Sequence, residues 1–227
     1  MRQTYIFALN NHVSVLLIRP ELAVAQQLGV RPAYHVSDLF QIAGSRATAY
    51  RIFDELLRLG FAERAQRGYF TVRACVFQPY HLWPYLLPSL AVLKLARYFG
   101  RAYNESDVNY ARRLLRGMVT LDYRAYELTQ LQTPRTLFMY VDNVDREASR
   151  LKDEGFSEGR RGRVAILPYE GDFENEIQRV YLDCLAFGGR SILDAIAIEL
   201  LYGDKLQVKG VFPAELVLKA REELPRR

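Results

Sequence analysis

VSDLFQIAGSRATAYRIFDELLRLGFAERAQRGYFTVR, residues Val36 to Arg73, decides the reading of this chain. Ser37 and Asp38 are N-terminal capping residues for a short helix carrying Val36, Leu39, Phe40 and Ile42. Gly44 supplies a tight turn, and Ser45 caps a second helix. From Ser45 onward Ala49, Phe53, Leu56 and Leu57 recur at helical spacing and mark a buried face. Gly60 closes this helix as a left-handed cap. Phe61 and Ala62 begin a strand, Gln66, Arg67 and Gly68 turn the chain, and Tyr69 to Val72 return as a second β-rich strand. Helix, turn, helix, hairpin is the element order of a winged helix-turn-helix, whose second helix enters the DNA major groove.

On that reading the polar side of the second helix carries Arg46, Thr48, Tyr50 and Arg51 in its N-terminal half. Side chains there reach bases and phosphates when the helix lies in a groove. Ser45 and Thr48 are assigned to phosphate, Arg46 and Arg51 to guanine edges or phosphate, and Tyr50 to a thymine methyl or a phosphate. Arg64, Gln66 and Arg67 form a basic hairpin tip placed for backbone phosphate or the minor groove. The competing reading is a module that docks another protein, its arginines merely solvating a helix face. DNA is preferred because the charge sits where the fold needs it.

Charge along the rest of the chain agrees in sign. Residues 1–76 hold nine Arg against five acids, a net +4. Residues 77–135 hold eight basic and four acidic residues, again +4, whereas 136–227 hold fourteen and seventeen, a net −3. The positive excess therefore lies in the first part of the chain and favours a polyanionic partner. Half of the 227 residues are apolar, enough for a packed core, and the length suits two domains. No apolar run approaches the ~20 residues that span a bilayer. The start of the chain also lacks a signal-peptide pattern, so a cytoplasmic location without membrane contact is expected.

The expected fold class is α+β: a winged helix-turn-helix domain over 1–76, a Pro/aromatic-rich connector over 77–88, and a C-terminal α/β domain over 89–227. The apolar runs around Asn10-Asn11, residues 4–18, read as a hairpin, with an amphipathic helix as the alternative. Pro20 opens a helix to Leu28, closed by Gly29. The connector FQPYHLWPYLLP carries three prolines, which forbid a regular helix across it, yet its aromatics suit a segment that packs along both domains. Tyr80, Trp83 and Tyr85 read as core anchors ahead of base-stacking platforms. Ser89 then caps a helix to Phe99, and Ser106 another to about Arg116. Arg97, Arg101, Arg112, Arg113 and Arg116 give this helical pair a basic surface. Beyond it, Thr136 to Val141 reads as a strand, Val144 to Glu154 as a helix, Arg163 to Leu167 as a strand, Arg179 to Leu185 as a strand or the start of a helix, and Arg190 to Leu201 as a helix.

Catalytic groupings are sparse. There is no phosphate loop, no dinucleotide GxGxxG and no GxSxG. Asp142, Asp145 and Asp183 on candidate strands are the one carboxylate set that suggests magnesium-dependent nucleotidyl transfer. Asp142 and Asp145 read more simply as a helix-starting turn. His12, His35, His81, Cys75 and Cys184 show no metal-ligand spacing, and neither a metal nor a cofactor is expected. A bridge between Cys75 and Cys184 is expected only in a thermophile. Gly188-Gly189-Arg190-Ser191 before a helix suits an anion site, or more simply a tight positive-φ connection with Ser191 as cap.

Two segments carry a family resemblance. The wing end RGYFTVR (Arg67 to Arg73) comes after a G-F-x-E-R return (Gly60 to Arg64) and resembles the winged domain of AbiEi-type antitoxin regulators. VYLDCLAFGGRSILDAIAIELL (Val180 to Leu201) is similar to the part of their C-terminal domain where a Tyr-Leu-Asp-Leu-Leu-like run precedes a glycine step and a helix. The resemblance spans about half of the chain. It implies an operator-binding repressor whose C-terminal part assists binding or neutralises a partner. The implied partners are duplex DNA, a nucleotidyltransferase-like toxin and, for palindromic sites, a second copy of the chain.

Overall fold

Tyr5–Leu9 (β1) and His12–Leu16 (β2) pair antiparallel, with Tyr5 opposite Leu16, which is the hairpin read from their apolar runs. The computed structural model describes residues 5–9, 12–16, 19–101, 106–159, 162–169 and 175–225. Asn10 and Asn11, the expected turn, lie outside them. Pro20–Leu28 winds as a 3-10 helix that packs on the next two helices. Those are Val36–Ala43 (α1) and Arg46–Leu59 (α2), joined through Gly44 at φ 73° in the left-handed region. The two-residue strand Tyr34–His35 (β3) precedes α1. Ala62–Gln66 (β4) and Tyr69–Val72 (β5) form the second hairpin, and β3 adds antiparallel to β5.

The cap of α1 differs from the expectation. His35, not Ser37 or Asp38, is the N-cap: its Nδ1 accepts from Ser37 N, while Asp38 Oδ2 accepts from His35 N at 2.9 Å. Val36 already belongs to the helix because His35 is pinned extended by pairing with Tyr69, which places Asp38 at the third helical position of a capping box. At the far end of α2, Gly60 takes φ 84° and donates to Leu57 O. Lys94 Nζ reaches the same end, donating to Leu57 O at 2.9 Å and Arg58 O at 3.0 Å. Two carbonyls at the negative end of a helix dipole, one of them already bonded to Gly60 N, thus meet a cation. Lys94→Met is expected to cost ~0.5–1 kcal/mol in urea denaturation, a value kept small by solvent exposure. An unchanged midpoint would show that water serves those carbonyls equally well.

Trp83–Lys94 (α3) corrects the expectation that prolines exclude a helix before Ser89. Pro84 occupies the first turn, where a missing N–H forfeits no bond, and the helix carries Pro88 at the cost of one. Ser89 is therefore a fully buried residue inside α3 and not its cap. The helix stops at Lys94, and Arg97–Gly100 becomes strand β6 where a helix end was expected. Ser106–Leu114 (α4) comes next; the Ser106 side chain, the expected cap, lies outside the described residues.

Four more strands join β6: Met118–Thr120 (β7), Leu137–Val141 (β8), Ser157–Glu158 (β9) and Val164–Pro168 (β10). Together they build a five-stranded sheet in the order β7-β8-β10-β6-β9. Among its described pairs only β8 and β10 run parallel, and Val144–Asp153 (α6) lies on the crossover between them. All five residues of β8 are buried, and the strand period of two sorts them onto two faces. Leu137, Met139 and Val141 pack with Val108 and Ala111 of α4 and with Ala148 and Leu151 of α6. Phe138 and Tyr140 face the other way, into the cluster that holds α3, Leu121–Thr129 (α5) and Glu176–Phe187 (α7). Helices thus cover both faces, as a sheet with two apolar faces requires. Arg179 to Leu185 is helical, which settles the strand-or-helix alternative. Ser191–Tyr202 (α8) packs on α5 and α7, and Ala214–Glu223 (α9) packs on α8.

One apolar cluster runs without a break from Leu22 and Leu39 through Phe53 and Phe61 to Trp83, Leu185 and Ala220. Trp83 is its joint: the ring is fully buried, lies tilted against Phe61 at 4.4 Å, and donates through Nε1 to Gln78 O at 3.2 Å. The aromatic connector therefore fastens the α1–α2–hairpin unit to the helices that cover the sheet. Tyr80 is half-buried against Trp83, and Tyr85 is exposed.

Candidate nucleic-acid interface

α2 buries Ala49, Ile52, Phe53, Leu56 and Leu59 and, from its start as far as Asp54, leaves Arg46, Ala47, Tyr50, Arg51 and Asp54 in solvent. The exposed set forms two stripes four residues apart, Arg46–Tyr50–Asp54 and Ala47–Arg51. The first stripe turns toward the β4–β5 hairpin. Between them lies an open groove of about 540 Å³, whose lining includes Phe40, Tyr50, Arg64, Gln66, Arg67 and Tyr69. The helix face and the hairpin tip thus share one surface.

Local chemistry holds the groove's walls. Arg46 lies over the Phe40 ring at 5.5 Å, and Tyr50 packs against the same ring at 5.6 Å and stays half exposed. Arg64 lies over Phe53 at 5.2 Å and reaches Asp54 at 3.6 Å. Such exposed contacts each contribute ~0.5–1 kcal/mol, so they orient the guanidiniums more than they stabilise the fold. A bulge between Arg64 and Gln66 twists β4, and Arg67 and Gly68 make the turn. Gly68 has φ 79°, and a Cβ there would approach His35 Nε2 to 2.8 Å. His35 in turn meets Tyr69 edge-on at 4.9 Å, so the tip is braced against the start of α1.

Of the expected site residues, Tyr50, Arg64, Gln66 and Arg67 line this groove, and Arg46 borders it through Phe40. Ser45 and Thr48 serve the helix first. Ser45 Oγ accepts from Thr48 N at 3.1 Å and donates to Thr48 Oγ1 at 3.0 Å. Arg51 lies on the neighbouring stripe, exposed but outside the groove lining. His35, Phe40 and Tyr69 were not among the expected residues. Their signal in the sequence is weak: an aromatic near the end of a short helix and another just after the turn read as core positions. From Ser45 to Arg73 six Arg face three acids, a net +3. The acids meet Arg64, Arg58 and Arg73 in ion pairs.

The other candidate chemistry is differently placed. The basic surface expected on the helical pair is largely matched by acids. Arg97 pairs with Glu158 and Asp145 at 2.7 and 2.9 Å, Arg101 with Asp107 at 3.5 Å, and Arg112 with Glu127. Arg97 and then Lys152 hold the Glu158 carboxyl down at about 2. Arg113 bonds its own helix at Asn109 O, and Arg116 is exposed. Asp142 and Asp145 are exposed at the end of β8 and the start of α6, whereas Asp183 is fully buried in α7 against Arg179. The three carboxylates do not converge, and among the described residues no three His, Cys, Asp or Glu side chains are grouped to hold a metal ion. Cys75 and Cys184 are both buried free thiols; burial pushes Cys75 up to about 12 and Cys184 well above its usual value. Ser191 is the first residue of α8 and not its cap, because Gly188 and Gly189, at φ 76° and 57°, carry the turn and Arg190 is already helical. Among the described residues no helix is long and apolar enough to cross a membrane. Comparison of the chain with protein-family models, with curated proteins and with solved structures gave no match.

Proposed function

We propose that this chain is a sequence-specific DNA-binding regulator, in which α1, α2 and the β4–β5 hairpin act as a winged helix-turn-helix. α2 enters the major groove, and the hairpin tip tracks the adjacent backbone. One observation carries the proposal: the groove in which Tyr50 of the helix meets Arg64, Gln66 and Arg67 of the tip. A phosphodiester strand passing between helix and wing would meet the hairpin's Arg64 and Arg67 on one side and the aromatic wall of Phe40 and Tyr50 on the other, with Arg46 at the border. Arg46 and Arg51, one on each exposed stripe, are then the helix's candidates for base edges. Ser45 and Thr48 contribute by fixing the helix start, whose N–H groups favour a phosphate.

The test is a gel shift on the duplex upstream of the protein's own gene, run at several salt concentrations. The parent is expected to lose affinity steeply with salt, and Arg64→Ala/Arg67→Ala to reduce the log–log slope by about 2. Arg46→Ala/Arg51→Ala should weaken binding by at least about tenfold and flatten discrimination between operator and scrambled DNA. Equal affinity of the parent and both double variants would sink the assignment and leave a protein-docking module in its place.

A further inference from the structure

Three separate stretches of chain meet on the sheet half of the molecule: the Gln132–Arg135 connection between α5 and β8, the residue before β10, and the residue before α8. They enclose a polar pocket of about 440 Å³ lined by Gln132, Thr133, Pro134, Arg135, Arg163 and Arg190. Among the described lining residues half are Arg, and none is acidic. Guanidiniums gathered into one concavity raise its positive potential, which an anion entering it relieves.

Arg190 is the best defined of the three. Its Nε donates to Gln132 Oε1 at 3.3 Å and its Nη2 donates to Thr133 O at 2.9 Å. Gln132 Nε2 closes the bracket by donating to Arg190 O at 2.9 Å. Both acceptors are neutral, so they fix the plane of the guanidinium without cancelling its charge. Two carboxyls lie close by but are not among the described lining residues. Asp122 Oδ2 accepts from Arg135 N at 3.2 Å and Thr136 N at 3.3 Å, which shapes the loop that presents Arg135. Asp194 is buried in α8 beneath Gln132 and Arg190, and burial pushes its carboxyl up to about 7, toward the neutral form. A polar concavity whose described lining holds an oriented Arg and no carboxylate is the arrangement that takes a phosphoryl group bidentately.

We propose that the pocket formed by Arg135, Arg163 and Arg190 binds the phosphate of a small phosphomonoester of nucleotide size. Its volume falls within the ~300–1,000 Å³ of small-molecule sites, larger than a bare oxyanion needs. A monoester dianion enters a concavity on one flexible arm, whereas a duplex phosphate is held at the surface of a convex rod. The inference is independent of DNA binding by α2, since none of the three arginines belongs to the α1–α2–hairpin unit.

Isothermal titration of the full chain at low salt, with AMP, inorganic phosphate and a single-stranded DNA oligonucleotide as probes, tests it. AMP is expected to bind saturably at one site, with inorganic phosphate a weaker competitor. Arg190→Gln and Arg135→Gln should each weaken AMP by at least about tenfold, the loss expected for one charged hydrogen bond. Arg113→Gln, on α4, should leave it unchanged. The Arg190 change also removes the bracket to Gln132, so the Arg135 variant, whose side chain is exposed, separates lost contact from a loosened loop. Absence of saturable AMP binding overturns the proposal, as does AMP binding that neither variant weakens. Oligonucleotide binding in place of AMP, lost in both variants, overturns it too and reassigns the arginines to a nucleic-acid backbone.

Discussion

Asp183→Leu and Arg179→Met are each expected to lower the unfolding free energy by ~3–5 kcal/mol, a large fraction of a domain's whole stability. Both side chains lie on α7, four residues apart, where α7 covers the sheet. Asp183 is fully buried and Arg179 nearly so, with Nε to Oδ1 at 3.0 Å. The carboxylate also accepts from Thr120 Oγ1 at 2.7 Å and from the Tyr140 hydroxyl at 2.9–3.0 Å, while Arg179 Nε donates to Tyr140 Oη at 2.9 Å. These bonds tie the four side chains into one buried group. Removing either charge strands its partner in the apolar layer, and that uncompensated charge dominates the cost. The same burial, with Asp183 beside it, pushes the Tyr140 hydroxyl well above its usual range and keeps it a donor to the carboxylate. A double variant, Arg179→Met/Asp183→Leu, should recover part of the loss, since it removes both buried charges and takes a partner only from the neutral hydroxyls of Thr120 and Tyr140. Urea denaturation of the four proteins gives the cycle. Single variants within ~1 kcal/mol of the parent, or a double variant as costly as the sum, would show that water reaches the group and that it is not a closed network.

The parts of the fold that were legible in the sequence are those set by near neighbours. Gly44, Ser45 and Gly60 bracket α2 by conformational preference alone, and the structure uses each of them so. β8, α6, β10 and α8 were legible for the same reason: an apolar run or a helical period with a capping residue or glycine beside it. What failed was set from a distance. β6 is a strand because β10 lies alongside it, and β7 because β8 does, and no local rule over three or four residues encodes a partner. The prolines of α3 argued against a helix, yet Trp83, Leu86 and Leu90 gain more by burial against Phe61 and α7 than one lost hydrogen bond costs. α7 was ambiguous because Val180, Tyr181 and Leu182 suit either element, although Arg179 and Asp183 four apart already favour a helix. At the site, the arginines were legible by position, but the Phe40 ring beneath Arg46 and Tyr50, and the His35–Tyr69 brace under the tip, required the fold. The arginine pocket escaped entirely, since residues 132–135, 163 and 190 share no sequence neighbourhood.

Asp194 leads to a second large effect, one read by pH. It is 2% exposed, and its Oδ1 has no hydrogen-bond partner among the described residues. Burial is the main reason its carboxyl is pushed up to about 7. The negative charge of Asp122 adds to this, against the hydrogen bond from Gln132 and the charge of Arg190. In the unfolded chain the same group titrates near ~3.9. The folded state therefore holds this proton more tightly, and folding takes one up across the interval between the two values. The stability tied to Asp194 is fully present below ~4 and is lost as pH rises through about 7. Each pH unit in that window is worth ~1.4 kcal/mol, so the whole interval amounts to ~4 kcal/mol. Glu158, held down at about 2, acts in the opposite sense, but only in strongly acidic solution, so the two effects are separable. Unfolding free energies measured at about pH 5.5, 7 and 8.5 should fall progressively in the parent, whereas Asp194→Asn, neutral throughout, should show little of that fall. A parent whose stability is flat across this range, or an Asn variant that falls as steeply, would mean that the carboxyl is ionised in the folded protein and is balanced by the Arg190 guanidinium.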